Sequence, residues 1–76
     1  MLRVVLKYTD CLQDGRIVFG VLAEHKVEIL HTRSFLTMYP RVTICIKDYE
    51  KLNNLLYNLN KQTSYKVRVV KVKRIK

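Results

Sequence analysis

The stretch from Asp14 to Leu30 reads DGRIVFGVLAEHKVEIL, and it passes from a turn signal through a helix-length apolar run into a strand. Asp14-Gly15 is the turn signal, since both residue types accommodate tight backbone turns. Ile17, Val21 and Leu22, with Val18 and Phe19 beside them, predict a helix from Gly15 or Arg16 to about Lys26 with a broad buried face. Gly20 in its middle costs up to about 1 kcal/mol relative to alanine, which predicts close packing against a sheet at that point. Val27 then opens a strand predicted to run to Thr37. Ile29, His31, Arg33 and Phe35 fall on one face of it and Leu30, Thr32, Ser34 and Leu36 on the other. A glycine turn directly before a helix presents unpaired N–H groups, so the same stretch is also a candidate anion site.

Outward from this stretch the periods are clear. Leu2, Val4, Leu6 and Tyr8 alternate with Arg3, Val5, Lys7 and Thr9, the pattern of a half-buried strand, and Thr9 to Asp14 reads as a loop. Met38-Tyr39-Pro40 is a turn, because proline removes a ladder donor. Val42, Ile44 and Ile46 alternate with Arg41, Thr43, Cys45 and Lys47 as another strand. Asp48 is suited to cap a helix and Glu50 to face its positive end, while Leu52, Leu55, Leu56 and Leu59 follow at helical spacing. Polar residues from Asn58 to Ser64 end that helix, Tyr65 to Val72 reads as a last strand, and Lys73 to Lys76 as its tail. The order is β-α-β-β-α-β. Right-handed crossovers place both helices on one face, which predicts a ferredoxin-like α+β sandwich with an antiparallel sheet in the order 4-1-3-2.

At 76 residues the chain is predicted to be one domain, 1–76, and its apolar fraction of 49% is that of a globular protein. Its apolar runs are shorter than the ~20 residues that span a bilayer, and no secretory leader pattern opens it, so a cytoplasmic location is expected. Two cysteines, Cys11 and Cys45, fall short of a zinc site or a disulfide framework, and neither metal nor cofactor is expected. The net charge of +9 is uneven. Residues 61–76 carry seven basic groups and no acid, whereas the first sixty carry eight basic and six acidic groups.

The Asp14–Leu30 stretch resembles the ACT family of small regulatory modules. Gly15, Ile17, Val21, Leu22, Ala23, Val27 and Ile29 stand where that family carries its glycine, apolar, alanine and isoleucine positions. The resemblance implies a ferredoxin-like fold, side-by-side dimers and an amino acid bound at the subunit seam. Carried onto this sequence, that site comprises Leu12, Asp14, Gly15, Arg16, Glu28 and Ile29, with Leu12 and Glu28 at positions that are often Asn or Asp in the family. Arg16 adds a cation that can pair with a carboxylate, and Asp14 is equally suited to cap the helix itself.

Catalysis finds little support, because His25 and His31 lack a neighbouring nucleophile and the carboxylates are dispersed. A non-enzyme is expected. If the apolar sets face the helices, Arg3, Lys7, Arg41 and Lys47 face outward, and Arg33, Lys66 and Arg68 join them in one register. That basic face is the footprint of nucleic-acid binding, although no aromatic side chain stands at its centre to stack on a base. Its alternatives are edge-strand lysines that block aggregation, or an acidic protein partner. The second strand, by contrast, shows an apolar edge. Ile29, Leu30, His31, Arg33, Phe35 and Leu36 are therefore the candidate surface for a homodimer, whose state a partner enzyme or regulator reads.

Overall fold

The computed structural model describes residues 1–9, 12–33, 40–64 and 66–75. Six elements follow in the expected order: β1 Leu2–Lys7, α1 Leu12–Glu24, β2 Glu28–Arg33, β3 Arg41–Ile46, α2 Tyr49–Gln62 and β4 Arg68–Arg74. The strands form one antiparallel sheet in the order β2-β3-β1-β4, the ferredoxin-like arrangement read in reverse. The smallest extent of the chain is 17 Å, room for one sheet and one helical layer. Among the described residues no element lies on the second face of the sheet, which is open.

One-sided burial follows directly from the alternation. Leu2, Val4 and Leu6 of β1 pair with Ile46, Ile44 and Val42 of β3, and all six are buried beneath the helices. Val18, Val21 and Leu22 of α1 and Leu52, Leu55 and Leu59 of α2 close over them. Tyr8 also turns inward and meets Phe19 edge to face at 6.1 Å.

The helix ends are where local chemistry decides. Asp48 caps α2 as expected, accepting the Lys51 N–H at 2.9 Å. At its other end Thr63 turns back, its N–H and its hydroxyl both donating to the Leu59 carbonyl. Helix α1 departs from expectation. It begins at Leu12, so Gly15 lies inside its first turns, neither glycine has a positive φ, and Asp14 is not the cap. Asp14 is instead wholly buried, and its Oδ1 accepts the Ser64 N–H at 2.9 Å, joining the start of α1 to the link between α2 and β4. A carboxylate near the positive end of a helix, with a backbone donor to satisfy it, is tolerated in the interior. The linking segment is held further by Asn60, whose amide oxygen accepts the Val67 N–H at 2.7 Å.

The end of α1 is a Schellman motif: the Lys26 N–H donates to the Ala23 carbonyl and the Val27 N–H to that of Leu22. Lys26 occupies the left-handed position at φ 55°, where glycine is usual, and Val27 packs against the core. The helix thus stops at Glu24 rather than near Lys26. Gly20 does not pack closely either: it is exposed, and a Cβ built there meets nothing within 4 Å. Strand β2 spans Glu28–Arg33, and the expected continuation to Thr37, including Phe35 and Leu36, lies outside the described residues. Strand β4 begins later than the sequence suggests and runs on through Lys73 and Arg74.

Two pairs of substitutions test these assignments by urea denaturation. Gly20→Ala and Lys26→Gly are each expected to stabilise the protein, by about 0.5–1 kcal/mol, since one removes backbone entropy from the unfolded chain and the other relieves a left-handed residue. Asp14→Ala is expected to cost about 1–3 kcal/mol because the Ser64 donor loses its acceptor, whereas Asp14→Asn, which keeps an acceptor oxygen, costs less than half as much.

Candidate functional site

The residues carried over from the ACT pattern do not assemble within the chain. Leu12, Asp14, Gly15 and Arg16 occupy the first turns of α1, whereas Glu28 and Ile29 begin β2 beyond its other end. From Gly15 to Glu24 the helix advances about 14 Å. Around Glu28 lies a cavity of about 420 Å³, bounded also by Met1, His25, Cys45, Lys47 and Lys51. His25 Nε2 stands 3.0 Å from the Asn58 amide nitrogen, so this histidine ties the end of α1 to α2.

The open sheet face is the most strongly patterned surface, and the strand register defines it. Antiparallel partners share a face, so the positions opposite the buried set read across the sheet in three rows. Arg68, Lys7, Arg41 and Arg33 form the row at one end. Lys71, Val5, Thr43 and His31 form the middle row, and Lys73, Arg3, Cys45 and Glu28 the third. Among the described residues, seven Lys or Arg side chains therefore share this face with one carboxylate, Glu28. Six of the seven are exposed and Lys7 is half-buried. At the middle of the face a shallow groove of about 440 Å³ runs between Arg3, Lys71, Lys73 and His31 over Val5 and Leu30.

Two irregularities build this arrangement, and neither is visible in the alternation of one strand. Between Leu6 and Val5 the partner of β1 advances from Val69 to Lys71, leaving Val70 as an extra residue. A bulge of this kind reverses the facing of everything beyond it. Arg68 thereby shares the open face with Lys71 and Lys73, while Val67 and Val72 lie against the core. Lys71 and Lys73 are missed by an unbroken alternation, which instead groups Arg68 with Lys66. Lys66 precedes the strand and has no register partner, and Lys47 follows the last residue of β3. In β2 the register shifts between Ile29 and His31, leaving Leu30 as the extra residue. Ile29 consequently pairs with buried Ile44 on the helix side, and His31 with Thr43 on the open side, rather than the two sharing a face.

The face carries a cost. Lys7 lies opposite Arg41 and Arg68, Arg3 opposite Lys73, and Arg33 opposite Arg41. Like charges directly opposed across strands destabilise a sheet.

Among solved structures, the ACT domain from the GTP pyrophosphokinase of Chlorobium tepidum is similar over 91% of this chain and 95% of that one, with a TM-score of 0.64 and 16% sequence identity. The chain has the fold of an ACT domain. No protein-family model matches it, and no curated protein does so either. Among the described residues no helix is long and apolar enough to cross a membrane.

Deleting Val70 tests the bulge. The deletion forces either Arg68 towards the helices or Val67 away from them, and is expected to cost at least about 1.5–3 kcal/mol, the worth of one buried aliphatic side chain. Val70→Ala, at a site 42% exposed, is expected to cost under about 1 kcal/mol by the same urea denaturation.

Proposed function

We propose that residues 1–76 act as one regulatory, non-catalytic ACT-like domain in the cytoplasm, working as a homodimer with an amino acid bound at its seam. The observation that carries the reading is the likeness to an ACT domain over 91% of a chain whose β2 edge is, among the described residues, uncovered. Ile29 and Leu30 are 41% and 43% exposed there, and no residue of β2 is buried. A small core gains from burying such surface against a second copy. The bulge at Leu30 interrupts the edge, so the two copies pair along the stretches that flank it.

This dimer also reunites the divided ligand residues. Two β2 strands related by a two-fold axis run antiparallel, so the start of one strand lies beside the end of the other. The end of β2 is at the same end of the sheet as the start of α1, because Arg33 is in the row with Lys7, the last residue of β1. The partner subunit's Glu28 and Ile29 are thereby brought towards Gly15 and Arg16. Arg16 and the partner subunit's Glu28 offer opposite charges, the complement of an amino-acid zwitterion. Glycine at position 15 leaves open space at the helix surface, since a Cβ there meets nothing within 4 Å. Ligand binding then shifts the dimer between states that a partner enzyme or regulator distinguishes. No chemistry is assigned to His25, which engages Asn58, or to Asp14, which holds Ser64.

Light scattering after size exclusion is expected to give a dimer for the unaltered protein and a monomer for Ile29→Lys; a monomeric unaltered protein overturns the seam. In a thermal-shift screen of the amino acids, at least one is expected to raise Tm, as any ligand of the native state does. Arg16→Ala, Glu28→Gln and Gly15→Ala are each expected to abolish that rise without lowering Tm in its absence. A screen in which no amino acid shifts Tm sinks the ligand assignment.

A further inference from the structure

We propose that the open sheet face binds single-stranded nucleic acid through its phosphates, a role separate from the β2 seam and the ligand it holds. The first observation is position. Lysines on an edge strand serve to block aggregation, and that accounts for Lys71 and Lys73 on β4. It does not account for Arg3 and Lys7 on β1 or Arg41 on β3, which are the two interior strands. The second is energetic. The like-charge pairs Arg3–Lys73 and Arg33–Arg41 oppose folding, so a face that keeps them is matched to a polyanion that relieves them.

The layout selects the class of polyanion. Cations follow β4 through Lys73, Lys71 and Arg68, then turn across the end row through Lys7, Arg41 and Arg33. Their spacing is about 4.8 Å across strands and about 6.6 Å along them. A bent track of that kind fits a flexible strand better than a rigid duplex. The groove beside it is lined at its middle by Val5, Thr43 and Leu30, against which a base can lie, and has no aromatic platform among the described residues. Binding is therefore sequence-tolerant, carried by phosphates and counterion release. An acidic protein segment is the poorer fit. Stable protein interfaces concentrate aromatic anchors and are depleted in lysine, whereas nucleic-acid interfaces are strongly basic.

Fluorescence anisotropy with labelled RNA and DNA single strands of about 12 nucleotides, a typical footprint for one small domain, tests the proposal. The expected result is micromolar binding at low salt, with a log–log salt slope of about −3 to −5 as five to seven phosphates are engaged. Lys71→Ala/Lys73→Ala is expected to weaken binding at least ten-fold and to reduce the slope by about 1.4. Lys51→Ala/Lys61→Ala, which removes equal charge from the helix layer, is expected to leave affinity within about two-fold, the spread of a non-specific charge effect. Arg41→Gln is expected to weaken binding while raising Tm, a combination that a merely structural role does not produce. Four results overturn the proposal: no binding at low salt, a slope near zero, equal losses in the two double variants, or tighter binding of a duplex than of a single strand. Polyglutamate that competes as well as an unlabelled oligonucleotide also overturns it, and assigns the face to an acidic protein segment instead.

Discussion

Burial of Leu2, Val4 and Leu6 beneath the two helices is the constraint from which the other placements follow. β1 lies between β3 and β4, so its alternation fixes the facing of both neighbours, and β3 passes the same parity to β2. With a side-chain period of two, the face of each residue on these strands is set by its register partner, and changes only across the bulges at Val70 and Leu30. The apolar sets go to the helices, and whatever alternates with them goes to the open side. Here that remainder is largely cationic, so the charge of one surface is the complement of the packing of the other.

How much of this was legible depended on whether the deciding interaction was local. The alternation of β1 and β3, the leucine spacing of α2 and its Asp48 cap all rest on neighbours within a turn or two, and the sequence displays them directly. Asp14 misleads for the opposite reason. An aspartate before a glycine and an apolar run has the form of a cap, yet its acceptor is used by Ser64, fifty positions along the chain. Lys26 ends α1 in a left-handed turn that the glycines suggest elsewhere, because the Schellman bonds and the packing of Val27 override its conformational preference.

The candidate surfaces divide along the same line. Arg3 and Arg41 could be placed on the open face from parity alone, whereas Lys71, Lys73 and, beyond the bulge at Leu30, Arg33 could not, since a bulge is a property of two paired strands. The ACT-like positions were found by resemblance, and their separation by the length of α1 emerges only from the fold. The proposed seam runs along the outer edge of β2 and the basic face lies across the sheet: Ile29 pairs towards the helices, His31 and Arg33 towards the open side, and Leu30 borders both. The two proposed roles, a ligand at the edge and a polyanion on the face, therefore draw on largely different residues.

The place of β1 has a consequence for synthesis. It is made before every other element of this domain, and its partners, β3 and β4, follow only later. Until Arg68–Arg74 is available, one whole side of β1 is an unpaired strand edge backed by Leu2, Val4 and Leu6. A chain stalled or cut within the link between α2 and β4 would keep most of its core residues and still expose its central strand as a sticky border. β4 is thus the seal on β1, and the domain is most vulnerable to self-association just before β4 is added.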